Sequence, residues 1–206
     1  MNEDLIFIQE TNLHTDSGIL KVRAYRNTQT MHEPIALVSK LESFASDDVV
    51  PVRVHDACFT SEVLGSLHCD CREQLHYAKR YIQQNGGVVI YMHQEGRGIG
   101  LANKIAAYAL QEQGMDTVEA NRALHLPDDA RDYNDAAAIL KQLGIQHIAL
   151  LTNNPRKIAK MTEVGIEVME RLAIQVPSSP FSQRYLKTKA SKMSHLLDFS
   201  DSIKED

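Results

Sequence analysis

Cysteine is scarce in this chain of 206 residues, and the 3 present are an odd number. A secreted disulfide framework would use an even set. The thiols therefore point to a reducing compartment, as metal ligands or as free side chains. Long apolar runs are also missing. No segment approaches the roughly 20 apolar residues of a membrane span, and the N-terminal MNEDLIFIQE is too acidic for a signal peptide. Positive charge is in deficit: 22 Lys and Arg stand against 27 Asp and Glu, a formal charge of −5. That excludes broad nucleic-acid or membrane-surface binding, but not a local basic pocket. Repeats and low-complexity stretches are absent. The expectation is a soluble, cytoplasmic protein that binds a small molecule, with neither nucleic acid nor membrane as partner.

What is present is enough apolar material, 43% of residues, for a sizeable core. The length suits one domain over residues 1–176. A polar, Ser-rich tail follows over 177–206, with one short helix expected near 187–197. The first quarter reads as strands: 5–11, 18–25, 34–40 and 49–56 are rich in β-formers and separated by turn residues. They suggest a meander-like, mainly antiparallel sheet. From Asp70 the pattern changes to alternating helices and strands. Asp70 and Glu73 resemble a capping box for a helix over 71–85, which Gly86 and Gly87 stop. A strand is expected over Val88 to Met92, then helices over 101–113 and 134–143. The strand IQHIALL leads to TNNPRK, where Asn154 can cap a helix with Pro155 at its first position. The strand IEVME closes the pattern. The fold class is α+β or mixed α/β.

The cysteines follow the spacing C-x10-C-x-C, with Cys58 at a strand end and Cys69 and Cys71 in a loop entering a helix. Zinc binds thiolates readily, and three protein ligands with an open fourth position mark a catalytic site. A water at that position would have its pKa lowered toward about 7. A helix N-terminus at Cys71 favours a thiolate. Two plainer alternatives stand beside this one. Free cysteines are often small buried hydrophobes, and His68 or His55 could close a purely structural site.

Three segments have the chemistry to handle anions: RVHDAC with Arg53, the Gly-rich QEGRGIG with Glu95 and Arg97, and TNNPRK with Thr152 and Lys157. Each pairs a strand end with a turn or helix start, where backbone N–H groups bind phosphate. Taken singly, each is equally a tight turn or a solvated charge. Glu95 could accept two hydrogen bonds from a base edge, and Gln74 could add a polar contact or simply face solvent. Tyr108 lies four residues after Lys104 on the same helical face, as a reactive group or as core. In LPDDARDY, Asp128, Asp129, Arg131 and Asp132 crowd a helix start, where Asp132 suits an N-cap and the remainder a surface ion pair.

Together these segments resemble the GTP cyclohydrolase II family. RVH-x-x-C, GSL-x-CDC, QEGRGIGLANKI-x-AYALQ, DTVEAN, RDY and LLTNNPRK carry the resemblance, in order, from about Arg53 to Leu197. It implies that Cys58, Cys69 and Cys71 bind one catalytic zinc per chain. It implies that water adds at C8 of guanine, the imidazole ring opens and C8 leaves as formate. Arg53, Val54, His55, Asp56, Gln74, Glu95, Gly96, Arg97, Thr117, Thr152 and Lys157 match substrate-binding positions. Tyr108 matches a catalytic tyrosine. Asp129 and Arg131 match the base and nucleophile that release pyrophosphate with Mg2+. Guanidinium holds its proton above about pH 12, so Arg131 reads better as an electrostatic clamp. A homodimer is implied.

The departures cluster near these motifs. RVHDAC stands where the family usually has RVHSEC, TSE for TGD, LHCDCR for LRCDCG and HQEGR for RQEGR, so Ala57, His68, Arg72 and His93 are changed positions. Three readings follow: GTP cyclohydrolase II itself, a divergent paralogue with the same zinc chemistry on another nucleotide or nucleobase, or a non-catalytic nucleotide-binding module. The retained cysteines with Tyr108, Asp129 and Arg131 argue against the last.

Overall fold

A computed structural model describes residues 4–176. In chain order the strands and helices are β1 (Leu5–Thr15), β2 (Gly18–Asn27), β3 (Ile35–Ser39), β4 (Val50–Asp56), α1 (Phe59–Glu62), α2 (Cys71–Asn85), β5 (Gly87–Met92), α3 (Leu101–Glu112), α4 (Thr117–Ala123), α5 (Asn134–Gln142), β6 (His147–Leu151), α6 (Pro155–Glu163) and β7 (Glu167–Leu172). The seven strands form one sheet in the order β1-β2-β3-β5-β4-β6-β7. The β1, β2, β3 and β5 neighbours pair antiparallel, whereas β4–β6 and β6–β7 are parallel. The fold is therefore mixed α/β.

The chain forms two compact units. The first holds the residues up to His55, Glu73–His93 and Tyr133–Val176; the second holds Asp56–Arg72 and Gln94–Asp132. The first contains the sheet and both apolar cores. Alternation along a strand sends successive side chains to opposite faces. Val88 and Ile90 accordingly pack with α5 and with Met161 of α6, while Val89 packs with Ala78 and Ile82 of α2. Burial on both faces explains the unbroken apolar run in β5. Its start is tight: a Cβ on Gly87, at φ +127°, would lie 2.3 Å from the Pro51 carbonyl oxygen, so only glycine fits.

The second unit is built differently. No residue of it belongs to either apolar cluster. Its buried residues are small or polar: Cys58, Thr60, Ser61, Cys69, Asp70, Ala107, Ala120 and Asn121. Helix α4 starts at a full capping box. The Asp116 carboxylate accepts from the Val118 and Glu119 amides, and Glu119 accepts from the Asp116 amide.

Several expectations change. Strand β4 leaves the meander and pairs in parallel with β6, because its nearly continuous burial suits an interior position better than an edge. Cys58 lies past the end of β4, as the residue preceding α1. Helix α5 is capped by Tyr133 without a side-chain bond, not by Asp132, whose amide instead donates to Gln94 Oε1 at 2.7 Å. Helices α1 and α4 were not anticipated, although D-x-x-E at Asp116 and Glu119 was there to read. The Asn154 cap holds, its side chain accepting from the Arg156 amide with Pro155 at the first helical position. The tail over 177–206 lies outside the described residues.

Candidate active site

The second unit gathers the three cysteines. Their sulfurs all lie within 4.8 Å of one another, and among the described residues they form the group able to hold a metal ion. Cys58 and Cys69 are buried, with sulfurs 3.6 Å apart, and Cys71 is the first residue of α2. Cys58 is held far below the usual thiol range, first by hydrogen bonds from Cys69 and Cys71 and then by the charge of Lys104, against the opposing effect of burial. Cys69 is pushed up, first by its hydrogen bond with Cys58. Three thiolates at this spacing need a cation, and an all-sulfur set of three fits zinc. His68, considered as a fourth ligand, lies instead against Tyr108, with ring centroids 5.4 Å apart.

Lys104 reaches this cluster from α3. Its Nζ donates to Cys58 Sγ at 3.1 Å, Thr60 Oγ1 at 2.8 Å and Glu95 Oε1 at 2.6 Å. Burial opposes its charge, but the bond to Glu95 and the Cys58 thiolate outweigh it, so its pKa is raised. Glu95 also accepts from the Phe59 amide at 2.6 Å and from the Gly96 amide at 3.1 Å. Its carboxylate thus joins the Gly-rich loop to the residue after Cys58. In that loop Gly96 and Arg97 both adopt positive φ, 61° and 62°. A left-handed backbone is uncommon for arginine.

Arg131 is clamped by two acids. Its side chain makes a two-pronged bond to Asp129, at 2.9 and 2.7 Å, and its Nη1 reaches Asp56 at 2.9 Å. All three side chains are only 11–12% exposed. A guanidinium held by two carboxylates is a fixed charge rather than a nucleophile. Asp56 is thus a second acid on Arg131, beside Asp129. Thr117 is the first residue of α4.

The first unit positions the other expected residues. Arg53, on β4, is 6% exposed and donates to the Leu151 carbonyl at 3.0 Å and to Gln74 Oε1 at 2.8 Å. Lys157, in the first turn of α6, is 4% exposed. It donates to the Val54 carbonyl at 2.7 Å and lies 5.3 Å from the centre of the Tyr133 ring. Thr152 is buried, and its hydroxyl accepts from the Asn154 amide. His55 is buried and stacks on Tyr91 at 5.7 Å. His93 is exposed and meets the same tyrosine edge-on. Backbone carbonyls thus hold two buried cations in place, an arrangement suited to a multiply charged anion.

Residues 7–173 match the family model described as GTP cyclohydrolase II. The chain belongs to the GTP cyclohydrolase II family. Among curated relatives, the riboflavin biosynthesis protein RibBA of Bacillus mycoides (strain KBAB4) is 51% identical over 190 residues, covering 92% of this chain and 47% of that protein. The RibBA of Bacillus cereus (strain AH187) is 50% identical over the same shares. The chain spans about half the length of these relatives. A solved structure of RibBX, a two-domain 3,4-dihydroxy-2-butanone 4-phosphate synthase from A. baumannii, aligns at 17% identity with a TM-score of 0.46. That alignment covers 85% of this chain and 41% of the other.

Sequence reasoning about the GTP cyclohydrolase II motifs missed two features of the site. Lys104 enters the sequence reading only as a neighbour of Tyr108, and no local pattern marks it as reaching Cys58. The pairing of Asp56 with Arg131 joins residues 75 positions apart, and no local pattern announces it.

Proposed function

We propose that the chain is a zinc-dependent GTP cyclohydrolase II of riboflavin biosynthesis. On this reading it opens the imidazole ring of GTP and releases formate and pyrophosphate, leaving a diaminopyrimidine ribosyl phosphate. The observation that carries this reading is the cluster of three cysteine sulfurs within 4.8 Å, in a chain that matches the family over residues 7–173. Cys58, Cys69 and Cys71 would hold one zinc, which supplies an acidified water and a Lewis acid for hydrolysis of the ring amidine. Ring opening with loss of C8 as formate consumes two waters, and release of pyrophosphate consumes a third.

The protein groups divide the remaining work. Arg53, Thr152 and Lys157 take the triphosphate with Mg2+, and burial strengthens the charges of Arg53 and Lys157. Val54, His55, Asp56, Gln74, Gly96, Arg97 and Thr117 complete the substrate contacts. Glu95 is largely occupied by protein donors, so its part is to shape the Gly-rich loop as well as to meet the base. Tyr108 serves proton transfer at the ring. Arg131, fixed by Asp129 and Asp56, stabilises charge at the phosphates, and Asp129 orients water there. A cytoplasmic homodimer completes the reading.

His68 and His93 stand where the family has arginine, and His68 packs on Tyr108. That contact favours, as a second reading, a paralogue acting on another nucleotide. Zinc-loaded protein with Mg2+ and GTP decides between them. Formate and pyrophosphate in equal amounts support the first reading. Absence of formate, from protein holding one zinc per chain, refutes it and turns the search to other nucleotides.

A further inference from the structure

We infer that Lys104 is a positioning residue for the site, setting the electronic state of the Cys58 sulfur and the placement of Glu95 through one ammonium group; this rests on the zinc reading above. A lysine ammonium has three N–H donors and no acceptor. Here all three have a partner: Cys58 Sγ at 3.1 Å, Thr60 Oγ1 at 2.8 Å and Glu95 Oε1 at 2.6 Å. The same nitrogen lies 5.7 Å from the centre of the Tyr108 ring. One group thereby touches a proposed metal ligand, the Gly-rich loop and the proposed catalytic tyrosine.

The local sequence builds a seat for it. Gly96 packs so closely that a Cβ there would meet Lys104 Cβ at 3.2 Å and Ile99 Cγ1 at 3.0 Å. Only 12% of the Lys104 side chain is exposed, so solvent neither screens the charge nor replaces the bonds. Three thiolates around a divalent cation leave a net charge of −1. A buried ammonium on one sulfur offsets it and draws electron density from that ligand. Outer groups that hydrogen-bond to a metal ligand tune the metal's electronics in this way. The second consequence is mechanical. Glu95, held by Lys104 on one oxygen, accepts from the Phe59 amide with the other, so the loop and the residue following Cys58 are fixed together.

The test uses Co2+ in place of zinc and reads the thiolate-to-cobalt absorption, with amide exchange at Phe59 as a second readout. In Lys104→Met the band should move to longer wavelength at one metal per chain, because the sulfur lone pair is no longer stabilised by an N–H donor. Exchange of the Phe59 amide should quicken. The kcat for formate release should fall about 10–100-fold, the usual effect of losing such a partner, with a smaller rise in KM for GTP as Glu95 loses its anchor. Lys104→Gln, which keeps donors without the charge, should fall between the two, and it carries the test if the methionine variant does not fold. A folded, metal-loaded variant with the wild-type band and wild-type Phe59 exchange would overturn the inference. If wild type shows the band and Lys104→Met shifts it, but GTP yields no formate, the substrate reading fails while Lys104 keeps its role.

Discussion

The two units solve the same problem, burying charged groups, by opposite means. In the sheet-bearing unit, Arg53 and Lys157 are held by backbone carbonyls of β-strands, around cores that include Ile90, Leu140 and Leu150. In the other unit, Lys104, Arg131, Glu95 and Asp129 are held chiefly by one another, on loops and short helices without an apolar cluster. Regular structure fixes a charge through the hydrophobic effect acting on its neighbours. A loop-built site must fix it through directional bonds, and through any metal it holds. The second unit should therefore depend on zinc for its own order, whereas the first should not.

Metal removal breaks the comparison most sharply. With a chelator, amide protection should collapse in Phe59–Glu62, Leu101–Glu112 and Thr117–Ala123 while β5 and β6 stay protected. Equal loss in both units, measured by hydrogen exchange, would show that the distinction is wrong. Next comes Arg131→Met, which leaves Asp129 and Asp56 facing each other nearly buried. It should cost about 3–5 kcal/mol, the usual penalty for breaking a buried pair. Combining it with Asp56→Ser should recover part of that loss in a double-mutant cycle, and strict additivity would rule out the clamp. A smaller effect is expected from Lys157→Met. The fold should persist on its apolar core, while KM for GTP rises about 10–100-fold, as for a charged hydrogen bond of about 1.5–3 kcal/mol. An unchanged KM would remove Lys157 from the phosphate site.

The smallest test compares like with like. Asn154→Ala and Asp116→Ala each delete a helix cap worth about 1 kcal/mol. In the sheet-bearing unit the loss should appear as a modest fall in Tm. In the other it should appear as local fraying of α4, with Tm hardly moved. The reverse pattern would mean that the second unit is the more cooperative of the two.

Periodicity and caps made much of this legible beforehand. The strands β1 to β3, the helix from Cys71 to Asn85 and the Asn154–Pro155 start of α6 each follow from a local pattern: β-formers between turn residues, glycine stops or a side-chain cap. The Asp70 and Glu73 pattern likewise predicts a helix that starts at Cys71, as observed. Helix α4, seven residues long, carries little periodic signal, and its Asp116–Glu119 capping box is its one local mark.

What the sequence alone determined is therefore the identity of the elements and the residue types that carry the chemistry, since both depend on neighbours along the chain. Three things only the tertiary structure decided: that β4 pairs with β6, that Asp56 meets Arg131, and that Lys104 reaches Cys58. Each joins residues far apart in sequence. Their partners are chosen by which surfaces become buried together, and no local rule encodes that choice.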